Sequence, residues 1–348
     1  MAEAGGPAKG ARRSTIADVA ALASVDRSVV SRLINDDPKL SIRDSTRQRV
    51  LDAIQMLGYR PNAAARSLRT ARTRTLGLFM PDFVNPVYAE IIKGAEQAAA
   101  AVGSLLVTGS VRSTGVTAQT YLDLLGHGRV DGLLLAAGGL RETDETELSR
   151  LGLPWLFTNQ TGAGRRRYVI LDDERAAILA VDHLVELGHR RIAHIAGPHT
   201  TFSARRRRQG YTKAVRTHRL GTGAELVVAG DYNPDGGAHG MEELLRLPDP
   251  PTAVLVGNVA SAIGALHAAH QLGVRVPQDI SVIAVHDLAL AARLVPPLTT
   301  VRMPLERLGS RAVELLLERP ADADVREVVR EPIELVLRES TAPPGRHV

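Results

Sequence analysis

The sequence predicts an α/β protein in two parts, a small three-helix module followed by a larger body built on parallel sheets. Three observations carry this. At 348 residues the chain exceeds one ordinary domain and falls short of three large ones, which suits a small module plus a larger two-lobed unit. Apolar residues recur at helical spacing up to Leu57, whereas from Thr75 onward short apolar runs alternate with helical patterns. The basic charge is confined to the front: residues 1–73 hold 13 Lys and Arg against 7 Asp and Glu, and the remaining 275 hold 30 against 31. That asymmetry is expected of a module that touches phosphates joined to a body that does not.

In the module, Thr15 offers a capping hydroxyl, Asp18 follows three residues later, and Ile16, Val19, Ala20 and Ala23 share one face of a short helix. Ser24-Val25 breaks it. Asp26 caps a second helix with the stripe Val30, Leu33 and Ile34, which ends at Asn35-Asp36-Asp37-Pro38. A third helix runs from Asp44 to Leu57 with Val50, Leu51, Ile54 and Leu57 on its apolar face. Two short helices joined by a tight turn and braced by a third form a helix-turn-helix, whose second helix enters the major groove of DNA. Its outward positions are Arg27, Ser28, Val29, Ser31 and Arg32, and arginine is suited to bidentate contact with guanine O6 and N7. A three-helix bundle with a solvated basic face has the same spacing, and the pattern alone leaves both open.

In the body, strands are expected at Leu76–Met80, Leu105–Thr108, Gly132–Ala136, Trp155–Thr158, Arg191–Ala196, Ala253–Val256 and Ile280–Val285. Helical patterns between them make βαβ units, and ligands of such sheets sit at the carboxyl ends of the strands. A nicotinamide-dependent dehydrogenase shares this alternation. No GxGxxG follows the first strand, however, and no GxxxxGK[ST], GxSxG or HExxH occurs, so no enzyme activity, catalytic residue or cofactor is expected. Without cysteine there is no disulfide, thiolate metal site or cysteine nucleophile. His183 and His189, in a helix and turn from Ala176 to Arg190, are expected as surface or capping residues rather than metal ligands. Met1 to Ser14 lacks the apolar stretch of a signal peptide, and no run of about 18 apolar residues follows, so a cytoplasmic protein without a membrane partner is expected.

The stretch Thr15-Ile-Ala-Asp-Val-Ala-Ala-Leu-Ala-Ser-Val25 followed by Val30-Ser-Arg-Leu-Ile-Asn35 resembles the headpiece of the LacI/GalR (lactose-repressor) family. So does Leu57-Gly-Tyr-Arg-Pro-Asn-Ala-Ala-Ala-Arg-Ser-Leu68. In the body, Met80-Pro-Asp-Phe-Val-Asn-Pro86, Val130-Asp-Gly-Leu133, His183-Leu-Val-Glu-Leu-Gly-His-Arg-Arg191, Pro277-Gln-Asp-Ile-Ser-Val282 and Pro296-Pro-Leu-Thr-Thr-Val301 are similar to the same family. The resemblance implies a tail (1–14), a DNA-binding headpiece (15–60), a hinge helix and linker (61–74), a two-lobed, periplasmic-binding-protein-like effector and dimerisation domain (75–340) and a C-terminal tail (341–348). Three strand crossings between the lobes would fall near Leu171, Val301 and Glu331. The function implied is a transcription regulator, a repressor that binds a palindromic double-stranded DNA operator as a homodimer under control of a small-molecule effector.

By the same resemblance, Arg27, Ser28 and Arg32 read bases, and Ser31, Asn35, Tyr59 and Asn62 position the backbone. Thr15, Val29 and Ala65 complete the DNA surface. Leu68 would wedge between base steps from the minor groove; an Arg-rich linker with an incidental leucine is the plainer reading of the residues. Val29 stands where a polar residue is usual, and the loop from Asp36 to Arg43 is longer than is usual in the family. The effector cleft would be lined by Asp82, Asn85, Tyr88 and Asn159 from one lobe and Arg207, Tyr232, Asn258 and His286 from the other. Trp155, on the strand that ends at Asn159, would report effector binding. Asn258-Val259 stands where Asn-Asp is common, and Val285-His286-Asp287 where an aromatic residue precedes two acids. A charged His286 beside Arg207 would favour an anionic sugar derivative, a neutral one a sugar hydroxyl. The sequence leaves both open.

Overall fold

The computed structural model describes residues 14–35, 37–60, 72–110, 129–136, 152–161, 166–221, 223–320, 322–330 and 332–345, with 146, 148 and 150 as single positions. The chain divides into two compact units, residues 1–73 and 74–348.

In the first unit, α1 (Ile16–Ala23) opens with a capping box: the Asp18 amide donates to Thr15 Oγ1 at 3.3 Å, and the Thr15 amide donates to Asp18 Oδ2 at 2.7 Å. Ser24 takes the left-handed conformation, φ 52°, and ends the helix. The Asp26 carboxylate then accepts the Ser28 amide at 2.7 Å to start α2 (Arg27–Ile34). With α3 (Asp44–Met56) these helices enclose Val19, Ala20, Ala23, Val30, Leu33, Val50 and Ala53. Leu51, expected on the buried face of α3, is exposed instead, because the stripe that points inward is Val50, Ala53 and Ile54.

In the second unit two six-stranded sheets form two lobes. One holds β1 (Thr75–Met80), β2 (Leu105–Ser110), β3 (Gly132–Leu135), β4 (Trp155–Thr158), β5 (Arg167–Leu171) and β11 (Val325–Val329), ordered β11-β5-β4-β3-β1-β2 and all parallel. The other holds β6 (Ile192–Ala196), β7 (Val227–Ala229), β8 (Ala253–Val256), β9 (Ser281–Val285), β10 (Thr299–Arg302) and β12 (Glu334–Val336), ordered β12-β10-β9-β8-β6-β7, with β12 antiparallel to β10. The chain passes from the first sheet to the second after Leu171, returns after Arg302, and passes again between Val329 and Glu334. All seven anticipated strands form, two with the expected bounds and five with bounds shifted by a residue or two. The five that went unread, β5, β7, β10, β11 and β12, include those flanking the crossings.

Helices cover both sheets and cross one another where side chains vanish. In the first lobe α4 (Val87–Ala101) meets α9 (Leu305–Glu318) at Gly94 and Gly309. A methyl at Gly94 would fall 1.9 Å from the Glu306 carbonyl oxygen, so only glycine allows this approach. The second lobe carries α5 (Asp173–Glu186), α6 (Phe202–Thr217), α7 (Pro234–Leu245) and α8 (Val259–Gln271). His183 and His189, expected as surface or capping residues, are buried. His183 Nε2 lies 3.0 Å from Thr341 Oγ1, while His189 lies 2.9 Å from Thr252 Oγ1 through Nδ1 and 2.9 Å from the Ala342 carbonyl through Nε2. Residues expected in the tail from 341 are thereby held to the body. No helix among the described residues is long and apolar enough to cross a membrane.

Candidate functional site

The carboxyl ends of the strands face a cleft with a cavity of about 370 Å³. Its first-lobe wall includes Asp82, Asn85 and Tyr88 after β1 and Asn159 and Gln160 after β4. Its second-lobe wall includes Thr201, Ser203, Tyr232 and Asn233. Asp82 Oδ1 accepts the Val84 and Asn85 amides at 3.0 Å each, and Asn85 Oδ1 accepts the Val87 amide at 3.2 Å, so the two side chains fold the turn that launches α4. Asn159 is held in the left-handed conformation, φ 58°, and its buried Oδ1 has no partner among the described residues. A buried acceptor left in that state is costly unless a ligand or water meets it.

Of the eight expected cleft residues, Asp82, Asn85, Tyr88, Asn159 and Tyr232 line the cavity. Arg207, Asn258 and His286 do not. They form a buried layer behind Tyr232, whose ring lies 5.5 Å from the Arg207 guanidinium carbon. The ring fits there because Gly197 lacks a side chain: a methyl would sit 2.2 Å from it. Asn258 is the N-cap of α8, its Oδ1 accepting the Ser261 amide at 2.8 Å while its Nδ2 reaches toward the Tyr232 carbonyl at 3.5 Å. Its polar groups serve the fold, which corrects the expectation that it lines the cleft.

Arg207 is 2% exposed and its five donor hydrogens are all placed. Nε and Nη2 both meet Asp173 Oδ1, at 2.8 and 2.7 Å; Nη1 donates to the Gly257 carbonyl and to Tyr232 Oη at 3.3 Å; Nη2 also donates to His286 Nε2 at 3.1 Å. Burial pushes the Asp173 carboxyl up from its ordinary range, and the charge and hydrogen bonds of Arg207 pull it back. Because His286 Nε2 is the acceptor, its ring hydrogen belongs on Nδ1, a buried atom without a partner among the described residues. Burial, and then the charge of Arg207, hold the ring well below its ordinary pKa. Of the two readings that the sequence left open, the geometry and the burial favour the neutral His286. Asp173 went unread in the sequence, since the helix that it opens was expected only from Ala176.

Trp155, expected to report on the cleft, starts β4 at the end away from Asn159. It is buried against Phe157, ring centroids 5.5 Å apart, with the Arg167 guanidinium over its face. Four residues of strand put it about 13 Å from the cleft end.

In the headpiece, Arg27, Ser28, Arg32 and Asn35 are exposed, and Val29 and Ser31 are half-buried. Asn35 Nδ2 donates to the Ser31 carbonyl, Thr15 is spent on its capping box, and Tyr59 packs against the three-helix core. Asn62, Ala65 and Leu68 lie outside the described residues.

Residues 15–62 match the family described as bacterial regulatory proteins, lacI family, and residues 181–341 match the periplasmic binding protein-like domain. The repressor PurR of Mannheimia succiniciproducens is 34% identical over 330 residues, covering 94% of this chain and 98% of that protein. Among solved structures, the lac repressor dimer bound to operator and the anti-inducer ONPF aligns at a TM-score of 0.84 and 29% identity, covering 95% of this chain and all of that one, 100%. The regulator CelR in complex with cellobiose aligns at 0.71 and 33%, covering 94% and 100%.

Proposed function

The chain belongs to the LacI family of bacterial regulatory proteins, and from that premise we propose a dimeric repressor that binds a palindromic operator and is controlled by a neutral polyhydroxylated effector. One observation carries this reading. A single chain joins a helix-turn-helix whose second helix exposes Arg27, Ser28 and Arg32 to a body whose cleft opens between two lobes linked by three crossings. Two headpieces would place two reading helices on half-sites related by the dimer axis, with the hinge residues Asn62 to Leu68 at the centre. Effector in the cleft would alter the angle between the lobes and so the spacing of the headpieces, the coupling between two sites that allostery requires. The protein works where the chromosome lies, in the cytoplasm.

The cleft's charges favour a neutral ligand. Arg207 is matched by Asp173, His286 is uncharged, and the Asp82 carboxylate is on the wall. Amides of Asn85, Asn159, Gln160 and Asn233 and hydroxyls of Thr201 and Ser203 both donate and accept, as sugar hydroxyls do, while Tyr88 and Tyr232 offer ring faces. The relative that holds cellobiose points the same way.

The test is a thermal-shift screen of the full-length protein with neutral mono- and disaccharides, uronates and sugar phosphates. Operator affinity is then measured on DNA selected from a randomised library. A neutral sugar that stabilises the body and alters operator affinity about 5- to 150-fold is expected. Response to anionic ligands alone would overturn the effector class, and failure to select any palindrome would overturn the operator reading.

A further inference from the structure

The loop that follows the reading helix carries a carboxylate aimed back at it. Asp37 Oδ2 accepts Arg32 Nε at 2.8 Å, Asp37 Oδ1 accepts the Lys39 amide at 2.8 Å, and the Asp37 amide donates to the Arg32 carbonyl at 3.0 Å. The carboxylate is thus fixed at both oxygens and through its backbone, while the Arg32 side chain remains 43% exposed at the outward end of α2. Hydrogen bonds from the Lys39 amide and then from Arg32 hold the Asp37 carboxyl below its ordinary range, so it is ionised at neutral pH. Arg47 lines the same small hollow as Arg32 and Asp37. None of this is needed for the headpiece core, to which neither Arg32 nor Asp37 belongs.

We propose that Asp37 is a positioning residue for base reading: by holding the Nε edge of Arg32 it presents the Nη1–Nη2 edge to O6 and N7 of a guanine. The inference rests on the reading that Arg32 contacts a base. A guanidinium is planar, so fixing one edge fixes the direction of the other, and a bidentate contact depends on that direction. A free arginine on a flexible stem swings equally well to a phosphate, which carries no sequence information. A carboxylate beside the groove repels phosphates, so Asp37 lowers affinity for all DNA while sharpening the choice among bases, a balance typical of specificity devices.

The experiment uses full-length protein and a duplex selected from a randomised library by the wild type. Each base pair of the half-site is varied in turn, and binding is measured by fluorescence anisotropy for wild type, Arg32→Ala, Asp37→Asn, Asp37→Ala and Arg32→Ala/Asp37→Asn. Circular dichroism confirms that each headpiece is folded. Arg32→Ala identifies the base pair it reads. At that base pair alone, both Asp37 variants should lose at least about fivefold in discrimination, the lower end of what a bidentate guanine contact supplies. Both should bind random DNA more tightly than wild type, and Asp37→Asn should add no loss of discrimination to Arg32→Ala. Unchanged discrimination with tighter random binding would reduce Asp37 to a repulsive charge and overturn the proposal. An equal loss from Asp37→Asn with and without Arg32 would overturn it too. If Arg32→Ala alters no base preference, the base-reading role of Arg32 fails and the proposal falls with it.

Discussion

Acidification from pH 7.5 to 5 should destabilise the body by about 2 kcal/mol through His194 alone, because this histidine is folded into a place that rejects its proton. It is 1% exposed, stacked on Tyr211 with ring centroids 5.2 Å apart, and bound through Nδ1 to the Leu255 carbonyl at 2.9 Å, while Nε2 has no partner among the described residues. Burial, against the help of that carbonyl, lowers its pKa from 6.5 to about 4. A histidine depressed in the folded state is neutral in both states above about 6.5, so no penalty exists there. As pH falls below that value the unfolded chain takes up a proton that the folded one refuses, and stability is lost until the folded value is reached. At 1.36 kcal/mol per unit the loss is about 2 kcal/mol at pH 5 and approaches about 3 kcal/mol well below pH 4. His183, His189 and His286, all lowered chiefly by burial, act in the same direction, whereas Asp173, pushed up by burial, acts against it.

For a unit of 275 residues at roughly 2.1 cal/mol/K each, about 2 kcal/mol corresponds to a fall in melting temperature of about 3–4 °C from His194. Emission of Trp155, the single tryptophan, reports the body and not the headpiece, so the full-length protein serves at fixed concentration and ionic strength. His194→Asn keeps a donor for the Leu255 carbonyl and loses the stacking on Tyr211. It should melt lower at both pH values and lose about 2 kcal/mol less between them. Equal pH slopes for wild type and variant would refute the reasoning, for they would mean that His194 takes no part in proton uptake.

Three further outcomes are expected. Because His286 is held neutral, calorimetric affinity for a proven effector should be flat between pH 6.5 and 8, and affinity that rises as pH falls across that range would restore the charged histidine. Asp173→Asn strands the buried Arg207 charge and should cost about 3–5 kcal/mol, or roughly 5–9 °C in the Trp155 melt; a shift under a degree would show that Arg207 finds another counter-charge. Leu68→Ala should reduce operator bending in a circular-permutation assay while the headpiece stays folded, and unchanged bending would remove the wedge.

What the sequence made legible follows from where each interaction is decided. The Thr15–Asp18 box and the Asp26 cap act within three residues, so they were readable, and the structure has both. The central strands were readable because parallel strands covered on both faces are continuous apolar runs. The unread β11, Val-Arg-Glu-Val-Val, and β10, Thr-Thr-Val-Arg, carry charges: Arg326 and Arg302 stay exposed and Glu327 is half-buried, while Val325, Val329 and Val301 are buried. Leu51 was misplaced because it is one residue off the stripe that Val50, Ala53 and Ile54 define, and one residue turns a helical side chain by about 100°. The cleft is a different case. Its walls were found, because residues after strand ends must face it, but its charge was not. Asp173 and Arg207 are 34 residues apart and Arg207 and His286 are 79 apart, so no local pattern ties them. Whether an arginine offers its donors to a ligand depends on how many the protein has already used. For Arg207 that number is all five, which makes its charge a property of the wall and leaves selectivity to the amides, hydroxyls and rings in front of it.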